Sequence, residues 1–282
     1  MAPDVADAAA EVHLVRPGLV DEIAGELLEQ VGPDRIAALG GGRVVDAAKA
    51  VAAMRRGRAM AVPTTLSGAE MTRIHRLPAG ADAPKVRCAV VVCDPALAAS
   101  QPVPELAASA LNGLGHCAEA PCTPKANPVS ALAARRGAQL LVRAFDDPEP
   151  DRDALALGAL LAGYSIDSAH YGLHHVLSQT LVRLAGVGHG PANAVMLGHS
   201  LRALEWRFPA QHAALAEALG EDPGEAVTRL CRLVGGGRLR DLGVERDDLP
   251  TCADAAAGRQ ELDLTPPRAD RAELLAIYEH AW

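Results

Sequence analysis

The stretch IAALGGGRVVDAAKAVAAM, from Ile36 to Met54, contains three local patterns in succession. Ile36 to Leu39 form a short apolar run that is typical of a buried strand. Three glycines, Gly40–Gly42, follow it, and the apolar residues after them recur with the period of a helix. The pattern predicts a strand, a glycine turn and a helix, which is the layout of one α/β nucleotide-binding unit.

The segments on either side of this unit have related patterns. AMAVPTTLSGAE, residues 59–70, is predicted to be a short strand followed by a turn rich in Thr, Ser and Gly. VRCAVVVCDP, residues 86–95, is predicted to be another buried strand, closed by an Asp-Pro pair. Upstream, apolar residues at helical spacing predict a helix over residues 20–31, ended by Gly32 and Pro33.

The character of the sequence changes after Pro104. Ala-rich and Leu-rich patterns with helical spacing predict a succession of helices at Glu105–Ala120, Pro128–Phe145, Asp153–His170, Gly172–Leu184, Pro191–Phe208 and Pro209–Leu219. Residues 238–260 are polar and predict loops and short helices, and a last helix is predicted at Arg268–His280. We therefore expect an α/β domain over residues 1–104 and an all-α domain over residues 105–282.

The composition argues against several classes of protein. Hydrophobic residues make up 49% of the 282 residues and aromatic residues only 2%, which favours an aliphatic, helix-rich core. A formal net charge of −8 argues against nucleic acid as a partner, and no apolar run reaches the length of a membrane span. The first residues lack the pattern of a signal peptide, and the six cysteines match no disulfide or zinc framework. We expect a cytoplasmic protein that acts on a small molecule.

Two loops of the α/β part have the composition of a nucleotide-binding site. The glycines Gly40–Gly42 let the backbone approach an anion at the N-terminus of a helix, although a tight strand–helix turn explains them equally well. Thr64, Thr65 and Ser67 add hydroxyl groups at the carboxyl end of a strand, where ligands of open α/β sheets bind. Ser67 and Glu70 could also cap the following helix as a capping box, and the two roles are compatible.

The helical part contains a group of histidines. Asn112 and His116 are four residues apart and share one face of a predicted helix. His175 lies on another predicted helix, and His189 lies in a loop just before the next. Three imidazoles suit zinc or iron, whereas an amide oxygen is a poor fourth ligand for these metals. Each histidine alone is better explained as a polar residue of a helical core, and the group predicts a site only where the helices meet.

These segments occur together in one known family. LGGGRVVDAAKA, VPTTLSGAEMT, VCDPALAASQPVPELAASALNGLGHCAEA and GLHHVLSQTLVRLAGVGHG follow one another in this order. Their order and spacing resemble the iron-containing alcohol dehydrogenase superfamily, and within it the maleylacetate reductase branch, from about Val12 to the C-terminus. The resemblance implies a dehydroquinate synthase-like architecture. A Rossmann-like nucleotide-binding α/β domain, here shortened, precedes a helical domain, and the active site lies in the cleft between them.

The resemblance also implies a cofactor and a set of site residues. NAD(P)H would be bound by Gly40, Gly41, Gly42, Thr64, Thr65, Ser67 and Lys85. Metal-dependent members hold their metal with one Asp and three His, and the matching positions here are Asn112, His116, His175 and His189. Since position 112 is an asparagine, as in the maleylacetate reductases, the resemblance leaves room for Fe²⁺ or Zn²⁺ but favours neither. We expect His116, His175 and His189 to polarise a carbonyl group and to supply a proton, with imidazole pKa values near neutrality, and His174 to lie behind them.

The sequence departs from the family pattern at three points. Family members usually carry a further strand–helix unit before the region at which this chain begins. Arg43 replaces the usual serine after the three glycines, and Gln179 replaces a histidine four residues beyond His175.

These departures leave two hypotheses for the function. The first is an NAD(P)H-dependent reductase or dehydrogenase that acts on a small carbonyl or maleylacetate-like substrate. The second is a redox-inactive homologue that uses the same pocket for acid–base chemistry such as isomerisation, elimination or cyclisation. A non-catalytic scaffold has the least support, because it would not need the histidines. A shortened sheet with an exposed edge further predicts a homodimer.

Overall fold

The structure, a computed structural model, describes residues 9–32 and 35–282. Its first part contains α1 (Val20–Gln30), β1 (Ile36–Gly40), α2 (Gly42–Met54), β2 (Ala59–Pro63), β3 (Val90–Val91) and α3 (Pro95–Ala98). The helix predicted over residues 20–31 is present, but Pro33, which was expected to end it, lies outside the described residues.

The three strands form a parallel sheet in the order β1-β2-β3. Ile36 pairs with Ala59 and Gly40 with Pro63, so that β1 and β2 are paired along their whole length. Helix α2 packs the apolar side chains of Val45 and Ala48 on this sheet. Because the strands are parallel, the loops after β1 and β2 leave the sheet at the same edge. The prediction of an α/β part with a strand, a glycine turn and a helix is confirmed.

The third strand differs from the prediction. Only Val90 and Val91 pair with β2, and the side chains of Val90 and Val92 are 51% and 48% exposed. In the described part of the chain, β3 is an edge strand with no neighbour on its far side. The prediction of a buried strand over residues 86–95 is therefore wrong. An apolar run does not reveal whether its strand lies at the centre or at the edge of a sheet.

The second part of the chain is helical, as predicted. It contains α4 (Val103–Glu119), α5 (Pro128–Arg143), α6 (Arg152–Ala169), α7 (Leu173–Leu184), α8 (His189–Arg207), α9 (Pro209–Leu219), α10 (Pro223–Val234), α11 (Asp248–Ala257) and α12 (Arg271–Ala281). The boundaries agree with the predicted helices to within a few residues. Helix α10 was not predicted. None of the helices that the structure describes is both long and apolar enough to cross a membrane.

Helix α4 runs through the centre of the helical part. Its residues Leu106, Leu111 and Leu114 belong to one large apolar cluster with side chains of α5, α6, α8 and α10. A second apolar cluster forms around α7, α8, α11 and α12, where the Tyr278 hydroxyl donates a hydrogen bond to the Leu177 carbonyl oxygen at 2.9 Å. Helix α8 contributes to both clusters, and α4 contacts α7 between them.

The loop after β2 joins the two parts. The Leu66 side chain is buried in the large helical cluster, and its backbone N–H donates to Ser109 Oγ on α4 at 3.1 Å. Gly68 packs directly on Gly163 of α6, with 3.0 Å between the Gly163 Cα and the position of a β-carbon on Gly68. The buried Asp167 of α6 accepts a hydrogen bond from the Arg73 backbone N–H at 2.6 Å. The loop that follows β2 at the carboxyl edge of the sheet is thus fixed on the helical part.

Candidate active site

Helices α4 and α7 bring a pair of histidines into contact. Asn112 and His116 lie one turn apart on α4, and His175 lies in the first turn of α7. All three side chains are buried. The rings of His116 and His175 stack with 4.8 Å between their centroids and 25° between their planes. The structure therefore brings His116 and His175 together at one helix–helix contact, with the buried Asn112 one turn earlier on α4.

His189 is the first residue of α8, and the residue as a whole is exposed to solvent. The protein atoms around its ring nevertheless lower its pKa by desolvation. Burial is the main cause that lowers the pKa of His116 and His175, and the electrostatic effect of His189 adds to it. Its carbonyl oxygen accepts a hydrogen bond from Asn193 Nδ2 at 2.8 Å. His189 thus lies at the exposed start of α8, near enough to His116 and His175 to affect their pKa values.

His174 is fully buried, and its ring lies edge-on to that of His175, with 4.8 Å between their centroids, while its Nδ1 faces α8. Its Nδ1 lies 2.8 Å from Ser200 Oγ, whose own hydrogen is directed to helix carbonyl oxygens, with Met196 O at 3.0 Å. His174 Nδ1 is therefore the donor in this hydrogen bond. The opposite edge of the ring packs on Gly115, where a β-carbon would lie 2.6 Å from His174 Nε2. His174 thus fills the space between α4 and α8.

The residue that links the two helices, Glu119, was not singled out from the sequence. It is the last residue of α4 and is fully buried. Its Oε1 accepts a hydrogen bond from the His174 backbone N–H at 2.6 Å, and its Oε2 accepts one from His175 Nδ1 at 2.8 Å. The available signal was a carboxylate one helical turn beyond His116 in an otherwise apolar stretch.

The histidines of this cluster are neutral at neutral pH. Burial lowers the pKa of His174 and of His175 to about 3, and it lowers the pKa of His116 well below its ordinary value. The expectation of imidazole pKa values near neutrality is therefore wrong, because α4 and α7 exclude the water that would stabilise an imidazolium ion. A neutral ring carries one N–H group and one lone pair, so each of these rings is a donor on one nitrogen only.

Several polar atoms of the cluster lack a hydrogen-bond partner within the protein. Ten buried side-chain nitrogen or oxygen atoms of the described residues have none, and they include Asn112 Oδ1, His116 Nδ1 and His175 Nε2. Unpaired polar atoms in a protein interior are uncommon, and a group of them beside perturbed titratable residues indicates a place where a ligand binds.

The donor atoms of this cluster do not fit an iron or zinc ion. Within residues 9–32 and 35–282, no group of three or more His, Cys, Asp or Glu side chains has the arrangement of a metal site. Asn112 offers a dipole where a carboxylate would offer a charge, which weakens the attraction for a dication.

The glycine turn and the Thr–Ser loop form one surface at the edge of the sheet. A β-carbon on Gly41 would lie 2.9 Å from Thr65 Cγ2, and one on Gly42 would lie 3.0 Å from Ser67 Oγ. The glycines are therefore required where the two loops touch. No side chain caps the N-terminus of α2, which begins here, so its first N–H groups are available to a ligand. Free N–H groups beside hydroxyl groups fit the phosphates of a dinucleotide.

The alternative role of Ser67 as a helix cap is present in part. Ser67 Oγ accepts a hydrogen bond from the Ala69 backbone N–H at 3.3 Å. Glu70 does not complete a capping box, because its side chain is buried and its Oε2 has no partner within the protein.

Two lysines lie near these loops in different environments. Lys49 of α2 is fully buried, and its Nζ donates to the carbonyl oxygens of Ala69 at 2.6 Å and Thr72 at 2.9 Å. The same Nζ lies 2.8 Å from Asp46 Oδ1, so Lys49 holds the loop after β2 against α2. Lys85, which was predicted to bind the cofactor, is exposed in the irregular segment before β3. The charges of Lys49 and Lys85 partly offset the rise in the pKa of Asp46 that burial causes.

Gln179, at the position of the family histidine, is hydrogen-bonded to an arginine. Its Oε1 accepts from Arg259 Nη2 at 3.2 Å, and the same nitrogen lies 2.8 Å from Glu261 Oε1. Tyr171 connects this group to the histidines, because its hydroxyl donates to Glu261 Oε1 at 3.2 Å and its ring centroid lies 5.6 Å from that of His175. A polar network thus takes the place of a single imidazole.

Comparisons with known proteins identify one family over most of the chain. Residues 18–95 match the family profile described as "Iron-containing alcohol dehydrogenase", and residues 106–282 match "Fe-containing alcohol dehydrogenase family, C-terminal". A maleylacetate reductase of Pseudomonas aeruginosa is 32% identical over 288 aligned positions, which cover 97% of this chain and 80% of that protein.

Two solved structures are similar over nearly the whole chain. The crystal structure of a maleylacetate reductase from Agrobacterium tumefaciens superposes with a TM-score of 0.81 at 27% identity, covering 93% of this chain and 78% of that one. An iron-containing alcohol dehydrogenase from Corynebacterium glutamicum superposes with a TM-score of 0.85 at 28% identity, covering 99% of this chain and 84% of that one.

Proposed function

The chain belongs to the iron-containing alcohol dehydrogenase family, and we propose that it reduces a small carbonyl compound with NAD(P)H at the histidine cluster. One contact carries this proposal. His116 Cε1 lies 3.5 Å from the position of a β-carbon on Gly68. Gly68 belongs to the loop that follows β2 at the carboxyl edge of the sheet. A cofactor held by this loop would therefore extend toward the stacked histidines.

Different residues of the chain would bind the cofactor, polarise the carbonyl group and supply the proton. NAD(P)H, when bound, supplies the hydride. The free N–H groups of α2 and the hydroxyls of Thr65 and Ser67 hold its phosphates. The neutral ring of His116 carries one N–H group, which donates to the substrate oxygen and polarises the carbonyl. The oxygen also needs a proton, which His189, exposed at the start of α8, would pass from water.

A metal ion is not part of this proposal. We infer that neither Fe²⁺ nor Zn²⁺ binds tightly, because Asn112 contributes a dipole where metal-dependent members have a charged carboxylate. The substrate is proposed to be maleylacetate-like or another small carbonyl compound, which the name of the Pseudomonas aeruginosa relative supports.

The redox-inactive alternative is not favoured, because the relatives are oxidoreductases by name. Titration with NADH and NADPH, followed by the fluorescence of the reduced nicotinamide, tests the choice. We expect binding of at least one of them, and weaker binding by a Gly41→Val variant, whose side chain would meet Thr65. Gly25→Ala is the matched control, since its nearest neighbour is Pro78 Cβ at 4.0 Å. No binding of either cofactor at millimolar concentration would overturn the proposal.

Three broader features are also proposals. We propose that residues 1–104 and 105–282 are separate domains, which is supported by their largely separate apolar clusters. We propose a cytoplasmic location, supported by six cysteines that are all free. We propose a homodimer, because β3 is an exposed edge that a second copy could pair with. Light scattering coupled to size-exclusion chromatography measures the mass of the particle, and a monomer at all concentrations would contradict the last proposal.

A further inference from the structure

Glu119 lies where the first turn of α7 requires a hydrogen-bond acceptor. Its carboxylate is fully buried between the end of α4 and the start of α7. Three N–H groups of α7 are directed at it: the His174 backbone at 2.6 Å, the His175 backbone at 3.4 Å and His175 Nδ1 at 2.8 Å. The backbone groups belong to the first turn of α7, where a negative charge is stabilised by the helix dipole.

This geometry constrains the proton of the His175 ring. Burial raises the pKa of Glu119, whereas the α7 backbone N–H groups that donate to it favour its ionised form. An ionised carboxylate only accepts hydrogen bonds, so beside ionised Glu119 the ring nitrogen that faces it must carry hydrogen. A neutral imidazole has one hydrogen, so His175 Nε2 must then be a bare lone pair. Nε2 lies on the side of the ring away from Glu119, is buried, and has no hydrogen-bond partner within the protein.

We propose that Glu119 is a positioning residue that holds His175 in the Nδ1–H tautomer and so presents its Nε2 lone pair to the reacting group. His175 is then an acceptor in the active site, and the donor to the substrate oxygen is another ring of the cluster. An acceptor at this place can accept a hydrogen bond from the hydroxyl group of an alcohol product. A carbonyl substrate has no such hydroxyl group. The catalytic consequence rests on the proposed function, whereas the tautomer does not.

A glutamine at this position would reverse the tautomer. The His174 backbone N–H can only donate, so it requires the amide oxygen of the glutamine at the place of Oε1. The amide nitrogen then takes the place of Oε2 and donates to His175 Nδ1, which must give up its hydrogen. The hydrogen moves to Nε2, and the group presented to the substrate changes from an acceptor to a donor. The size of the side chain and the 2.6 Å hydrogen bond from the His174 backbone are preserved, whereas the longer contact of the His175 backbone N–H with Oε2 is lost.

Nitrogen-15 NMR of the histidine side chains tests this directly, since protonated and bare ring nitrogens have distinct shifts. The His175 signals are assigned by their loss in a His175→Gln variant. We expect Nδ1–H in the unaltered protein and Nε2–H in Glu119→Gln. Ser200→Ala is the matched control, because it removes the partner of His174 Nδ1 and should leave the His175 tautomer unchanged. Nε2–H in the unaltered protein, or unchanged Nδ1–H in Glu119→Gln, would overturn the proposal.

Kinetics provide the second measurement. In Glu119→Gln we expect kcat to fall on the order of 10²-fold or more while KM changes little, because the site keeps its shape and loses an acceptor. Glu119→Asp should leave Nδ1 protonated and recover part of the activity. If the tautomers behave as expected but the unaltered protein oxidises no NAD(P)H with any carbonyl substrate, the proposed function fails and the role of Glu119 in setting the tautomer stands. If the Glu119→Gln variant does not fold, the nitrogen-15 spectrum of the unaltered protein decides the question.

Discussion

The contact between Gly68 and Gly163 is the point at which the loop after β2 meets α6. The Gly163→Ala variant is expected to move this loop away from the helix. The new β-carbon would lie 2.8 Å from the Gly68 carbonyl oxygen, 2.9 Å from Met71 Cβ and 3.0 Å from Gly68 Cα. Two of these atoms belong to the backbone and cannot rotate away. Gly68 itself has φ of +71°, a conformation that suits glycine, so the loop cannot adjust there without strain.

Two opposing effects decide the magnitude. Alanine is favoured over glycine inside a helix by about 1 kcal/mol, and Gly163 lies well inside α6. Overpacking of a close-packed contact destabilises a protein by about 1–3 kcal/mol, and contacts with backbone belong at the upper end of this range. We therefore expect a net loss of about 2 kcal/mol in the free energy of unfolding, which lowers the Tm by roughly 4 °C in a protein of this size.

Thermal unfolding followed by circular dichroism measures this loss, and a cofactor titration of the same variant measures whether the loop has moved. Gly198→Ala is the matched control inside α8, because its nearest neighbour is Val227 Cγ1 at 3.7 Å. The control should gain stability by about 1 kcal/mol from helix propensity alone. If Gly163→Ala gains as much as the control and binds cofactor normally, the docking of the loop on α6 is not the tight contact described above.

Two further predictions concern charge. The Asn112→Asp variant should bind a divalent metal, because the carboxylate adds a formal negative charge beside His116, whereas the unaltered protein should not. Elemental analysis after purification without chelator measures the metal. Stoichiometric metal in the unaltered protein would contradict this prediction. Burial raises the pKa of Glu70 to about 7. The folded protein therefore holds more protons than the unfolded chain between pH 4.5 and 7. Its free energy of unfolding should fall as the pH rises through this window, by at most about 3 kcal/mol. Glu70→Gln should remove this fall, so that the Tm of the variant relative to the unaltered protein rises from pH 4.5 to pH 8; a difference that does not vary with pH would show that Glu70 does not titrate in that range.

Local patterns were enough to predict the unit from Ile36 to Met54, because its strand, turn and helix each depend on neighbouring residues. They were not enough for β3, whose exposure depends on which strands lie beside it. Helix α10 begins with Pro223 and Gly224, both of which obscure a helical pattern. The role of Glu119 depends on a helix that begins more than fifty residues further along the chain, so a single sequence could not reveal it. The low pKa values of the histidines have the same origin, since burial is a property of the packed helices.

The central claim is that the nucleotide loop and the histidine cluster form one site for hydride transfer. The most direct measurement uses NADH deuterated at the transferring position, with maleylacetate and a panel of small carbonyl compounds, and mass spectrometry of the product. We predict that deuterium appears in the product with the unaltered protein, and that His116→Gln binds NADH but transfers little deuterium. Bound NADH that is never oxidised by any of these compounds, with the unaltered protein folded, would contradict the claim.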